Sequence, residues 1–207
     1  VEPMSKINKI TPLTHVKFLN LYELEAENKF GDTHPYYVAS RKDEETMMAA
    51  TKKVIPDGVL IYSLFGEKAD KLIMVKQFRY PLNDYTYELP AGLIDPGESV
   101  KETAIREMME ETGLTFTPAT FDDFLSRPHF SSAGMTDETN CTVYGISTGM
   151  PNLDHLEPNE DLSVELVDKN EAKRILREEN LSVKAYYLLL HFIQSDPSDP
   201  FAFLKLD

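Results

Sequence analysis

Four stretches in the first eighty residues carry the pattern of strands. Residues 15–24 (HVKFLNLYEL), 35–42 (PYYVASRK), 58–65 (GVLIYSLF) and 71–78 (KLIMVKQF) are rich in β-branched and aromatic types and are separated by Gly, Asp, Asn or Pro. Between the first two, ENKFGDTHP reads as a hairpin connection. Beyond residue 98 the period changes: Val100, Ala104, Ile105, Met108 and Met109 recur at helical spacing, as an apolar stripe aimed at a core. Ser99 with Glu102 three residues on forms a capping box, and Thr112-Gly113 is a stop signal, so a helix of about three and a half turns is predicted. A strand, an acidic loop, a further strand at CTVYGIS and a second loop through PNLDHLEPNEDL follow. Asp168 with Glu171 then caps a helix with Ala172, Ile175 and Leu176 on one side, and Ser182 opens a last helix, VKAYYLLLHFIQ. The order of strands and helices places the chain in the α/β (α+β) class, with no internal repeat and no low-complexity linker.

At 207 residues the chain can bury a real core, as one large domain or one domain with a small appendage. Hydrophobic residues at 42% and charged residues at 27% fit an ordinary globular protein, not a disordered or fibrous one. The single cysteine, Cys141, cannot close an intramolecular disulfide. No apolar run approaches ~18 residues and the first residues, VEPMSKINKITP, lack the charged-then-apolar order of a signal peptide; the expectation is a cytoplasmic protein with no membrane partner. Thirty-five acids against twenty-one Lys and Arg leave a formal charge of -14, which repels a polyanion such as nucleic acid. A small anionic substrate stays possible if metal cations supply positive charge locally, and that requires clustered carboxylates.

Such a cluster lies in residues 92–114, GLIDPGESVKETAIREMMEETGL. Glu107, Glu110 and Glu111 stand at i, i+3 and i+4 of the predicted helix, on a different face from the apolar stripe. Like charges at this spacing destabilise a helix unless something positive sits among them, and hard oxygen donors facing one way suit Mg²⁺ or Mn²⁺. A solvated acidic face partly screened by Arg106 is the alternative. The wider pattern separates the two. Gly92, five residues, Glu98, seven residues, Arg106-Glu107, apolar Met108, one residue, Glu110-Glu111, one residue, Gly113 and apolar Leu114 would arise in such a chain by chance on the order of once in a million.

This spacing resembles the Nudix box in full. The resemblance implies the Nudix fold, a mixed β-sheet sandwiched between helices, and Mg²⁺-dependent hydrolysis of a nucleoside diphosphate linked to another moiety, with Mn²⁺ as a substitute ion. It makes Glu107 and Glu111 the principal metal ligands, Glu110 a weaker third, and the backbone carbonyl of Ala91 a further contact. Glu98 would pair with Arg106 and fix the loop on the helix. The flank KQFRYPLNDYTYELPAGLID resembles the ADP-ribose and ADP-sugar pyrophosphatase branch, which makes Arg79 and Leu93 candidates for substrate binding. Downstream, SSAGMTDETN resembles a loop of that branch, with Ala133 where a proline is common. Gly134 is then a substrate contact and Glu138 the water-activating base or a further ligand; Asp137 is the alternative acid. Residues 1–56 match an antiparallel strand extension that in this branch is exchanged between the subunits of a homodimer, ahead of a Nudix domain at 57–207. Tyr36 or Tyr37, with Arg41 nearby, would then meet the base. The expected reaction converts ADP-ribose to AMP and ribose 5-phosphate. A hydrolase of another nucleotide sugar shares these metal residues, and a catalytically silent Nudix sensor is the rival from another class.

Overall fold

A computed structural model describes residues 4–206, which fall into two compact units. The first takes in the chain up to Asp57 together with Pro128–Asn140; the second comprises Gly58–Arg127 and Cys141–Asp207.

In the first unit, β1 (Lys6–Pro12), β2 (Asn20–Glu27) and β3 (Thr33–Ser40) form an antiparallel sheet in the order β1-β2-β3, followed by a single helical turn, α1 (Met48–Thr51). The β2–β3 hairpin is closed by the Asn28 side chain, which accepts from the backbone of Phe30 and Asp32, with Gly31 at φ +90°. Its core is small: Tyr22, Leu24, Val38 and Met47. The strand expected over 15–24 begins only at Asn20. The Asn20 amide accepts from the Val16 N–H and donates to the Val16 carbonyl, so the preceding residues close into a loop where alternation alone suggested a strand.

The second unit begins with β4 (Gly58–Phe65), β5 (Leu72–Arg79), β6 (Asp84–Glu88), β7 (Ala91–Leu93), α2 (Val100–Thr112) and β8 (Thr115–Pro118). The chain then returns to the first unit with β9 (His129–Phe130), which pairs with the opening residues of β10 (Thr139–Thr148). The rest of β10, β11 (Leu162–Val167), α3 (Lys169–Glu178) and α4 (Val183–Gln194) complete the second unit. Its strands run in the order β11-β5-β4-β10-β8, with β6 added to β5 and β7 to β4. The sheet is mixed. The pairs β8–β10, β5–β11, β4–β5, β4–β7 and β5–β6 are antiparallel, whereas Asp57 N–H to Thr139 O at one end and Gly66 N–H to Ser147 O at the other show β4 and β10 running the same way.

Alternation along β4 explains the layers. Val59 and Ile61 face Ala104 and Met108 of α2, while Leu60, Tyr62 and Leu64 face Ala172, Ile175, Ala185, Leu189 and Phe192 of α3 and α4. A sheet with helices on both faces is thus observed, and each fully buried Leu or Ile contributes roughly 1.5–3 kcal/mol. The capping box at Ser99 is present, and Gly113 ends α2 in the left-handed conformation. One member of the predicted stripe is corrected. Ile105 lies 44% exposed, and the buried positions of α2 are Thr103, Ala104, Met108, Glu111 and Thr112. The helix is therefore rotated so that Glu111, not Ile105, turns inward.

Candidate active site

The site is built on the inward side of α2, where the chain passes from β6 through Leu89-Pro90 into β7. Glu107 and Glu111 stand one helical turn apart and face this backbone. Glu111 is buried, 3% exposed, and accepts the Ala91 N–H at 3.1 Å. The Glu107 carboxyl occupies the space above Gly92: a Cβ there would lie 1.9 Å from its carboxyl carbon, so no residue larger than glycine fits without moving it. Burial pushes the Glu111 carboxyl well above the usual carboxylate range, and the neighbouring charges of Glu107 and Glu160 add to the effect. Burial raises Glu107 too, against the pull of Arg106. Glu110 sits on the outer flank of the helix.

Arg106 organises the remaining acids. Its guanidinium binds both oxygens of Glu98 at 2.9 Å, Glu107 Oε1 at 2.8 Å, Glu110 Oε2 at 2.9 Å and the Leu93 carbonyl at 3.0 Å. Glu98 also accepts from the Thr103 hydroxyl, and these bonds bring its carboxyl down to about 2. The expected pairing of Glu98 with Arg106 is present, and it ties the loop to the helix. Leu93 contributes its carbonyl here; the residue is 47% exposed.

Two further residues of this unit, Glu88 and Glu160, were not identified from the sequence, and both involve the candidate Arg79. Arg79 forms a bidentate ion pair with Glu88, Nε to Oε1 at 2.8 Å and Nη2 to Oε2 at 2.9 Å, and its charge is felt by Glu111 and by Glu160. Glu160 lies two residues before β11. The register Leu162↔Gln77, continued by two residues, brings it level with Arg79 on the sheet face that α2 covers. Its carboxyl is raised by burial and by Glu157 and Glu110. Glu160 was one of several acids in PNLDHLEPNEDL, and only the β5–β11 register distinguishes it. Glu88 was visible in the ELPAG flank, but its pairing with Arg79 was not.

The other candidates gather in the first unit. The Tyr36 hydroxyl donates to the Gly134 carbonyl at 2.7 Å, and Arg41 Nε pairs with Glu138 Oε2 at 3.2 Å. Ser131 donates to the other oxygen of Glu138. Asp137 holds Ser40 Oγ and the Met48 N–H, which occupies the alternative acid in structural bonds. Tyr37 is 53% exposed, and a bond with Glu23 raises its phenol.

Among the described residues no three His, Cys, Asp or Glu side chains enclose an ion site as they stand; Arg106 engages one oxygen each of Glu107 and Glu110. The donor chemistry nevertheless fits a hard divalent cation. The charges of Glu107 and Glu160 add to the rise of Glu111, and that of Glu160 to the rise of Glu107, and a buried group of like charges is relieved by a cation among them.

A model of the Nudix domain matches residues 54–189, well over half of the chain. The chain belongs to the Nudix family. Among its relatives, the ADP-ribose pyrophosphatase of Saccharomyces cerevisiae is 35% identical over 121 residues, 53% of this chain and 51% of that protein. The ADP-ribose pyrophosphatase of Bacillus subtilis is 42% identical over 77 residues, 37% of this chain and 40% of that one. The chain thus spans about half the length of the curated relatives it matches. In fold it is similar to a crystal structure of an ADP compounds hydrolase, with a TM-score of 0.63 at 19% identity, covering 92% of this chain and 95% of the other.

Proposed function

We propose that the chain is a cytoplasmic, homodimeric Nudix hydrolase that cleaves the diphosphate of ADP-ribose to AMP and ribose 5-phosphate with Mg²⁺, Mn²⁺ substituting. The observation that carries this reading is the buried Glu111 carboxylate, held on the Ala91 backbone beside Glu107 and close enough to Glu160 and Arg79 to feel their charges. Glu107, Glu111, Glu110 and the Ala91 carbonyl would hold the ion. When bound, it neutralises the diphosphate and lowers the pKa of a coordinated water.

The chain's own groups do the rest. Arg106 and Glu98 keep the loop on the helix, and Arg79 supplies a fixed positive charge for a phosphate oxygen. Glu138 is the base implied by the resemblance. Glu160 is the second carboxylate suited to that role, since burial raises its affinity for a proton. In the first unit, Arg41, Tyr36 and Gly134 are the proposed contacts to the nucleotide, and relatives named as ADP-ribose pyrophosphatases support the choice of substrate.

The test is a panel of ADP-ribose, ADP-glucose, GDP-mannose, dinucleotides and nucleoside triphosphates. We expect the highest kcat/KM for ADP-ribose with Mg²⁺, abolished by EDTA and restored by Mg²⁺ or Mn²⁺. A higher value for a triphosphate or GDP-mannose overturns the substrate assignment and leaves the metal roles standing. No hydrolysis of any compound overturns the enzyme.

A further inference from the structure

Arg79 stands at the turn end of the β5–β6 hairpin, opposite Asp84, whereas Glu88 lies at the far end of β6, level with Val75. Four residues along a strand is about 13 Å. The two side chains nevertheless meet in a two-bond fork, because positions 75, 77 and 79 share one sheet face with 88, 86 and 84. Between them lie Gln77 and Thr86, both buried, so the Arg79 side chain is laid back along the sheet. It runs toward the stretch that leads into Ala91. The hairpin tip in the opposite direction is solvent-exposed, with Tyr80 at 75% and Leu82 at 57%.

We propose that Glu88 is a positioning residue: its carboxylate draws the Arg79 guanidinium away from the hairpin tip and presents it, beside the α2 acids, to the diphosphate of the substrate. This rests on the hydrolase reading above. The fork engages Nε and one terminal nitrogen, which fixes the plane of the guanidinium and directs the other terminal nitrogen away from Glu88. The Glu88 side chain is 16% exposed against 43% for Arg79, so the carboxylate is the anchored partner and the arginine the accessible one. An anchored anion behind an accessible cation suits a group that must meet a mobile phosphate in a constant orientation.

The experiment is steady-state hydrolysis of ADP-ribose with Mg²⁺ by wild-type protein, Glu88→Gln, Glu88→Ala, Arg79→Ala and the double Ala variant, with folding checked by circular dichroism. Glu88→Gln keeps the size of the side chain and serves if Glu88→Ala does not fold. We expect KM to rise about fivefold or more in the Glu88 variants and about tenfold in Arg79→Ala, with kcat within about twofold of wild type. The double variant should match Arg79→Ala, since Glu88 acts only through that residue. An unchanged or lower KM in Glu88→Gln overturns the proposal, as does a double variant whose loss is the product of the two single losses. The wild-type measurement separates the two levels: absence of hydrolysis there removes both readings, whereas wild-type activity with an indifferent Glu88→Gln removes only the role of Glu88.

Discussion

Glu111 shows how one residue's environment reverses a simple expectation. By spacing alone it belongs to an acidic helix face, yet it is 3% exposed and hydrogen-bonded to the Ala91 backbone. A glutamine there keeps the acceptor for Ala91 and removes a buried charge that its neighbours oppose. Glu111→Gln should therefore raise the melting temperature of EDTA-treated protein by a few degrees, abolish any rise on adding Mg²⁺, and cut turnover by at least about a hundredfold. Thermal melts with and without Mg²⁺ check the first two effects; a lower melting temperature in EDTA would show that the carboxylate is stabilising. The acids themselves were legible, because the box fixes their spacing. Their burial was not, because the rotation of α2 is set by packing of Ala104 and Met108 on the sheet, and Ile105 looked equally suited to that contact.

At the level of elements, β4 was read to the residue because seven of its eight positions are buried, giving a run between Gly58 and Gly66 that is apolar except at Ser63. The short β6 and β7 were missed. They lie in DYTYELPAGL, where exposed positions and Leu-Pro interrupt any period, and they exist because β5 and β4 offer edges to pair with. Yet β7 brings Gly92 to α2 and β6 brings Glu88 to Arg79, so part of the site was hidden with them. Gly92 joins strand and helix most tightly. A methyl group at Gly92→Ala would collide with the Glu107 carboxyl and displace it. We expect folded protein whose half-saturating Mg²⁺ concentration rises at least about tenfold, measured by activity against Mg²⁺, while KM for ADP-ribose at saturating Mg²⁺ changes far less. Equal Mg²⁺ dependence in variant and wild type would show that Glu107 has room to retreat.

For the whole molecule, the core of the first unit comprises four buried residues among those described, while Phe18 and Phe30 are 70% and 79% exposed. So small a core argues for further burial on association. Light scattering at micromolar concentration should give about twice the 23.6 kDa chain mass, and a fully active monomer would reject the dimer. Among the described residues no helix is long and apolar enough to cross a membrane. Arg106 carries a consequence for how such a protein lives with its surroundings. Its guanidinium already stands between Glu107 and Glu110 as a built-in counter-ion, so an arriving ion has to win those oxygens from a tethered competitor. Such competition lowers the apparent affinity for the ion. On the proposed function, the catalyst then acts as a gauge, its output following the free divalent concentration around it instead of saturating on traces.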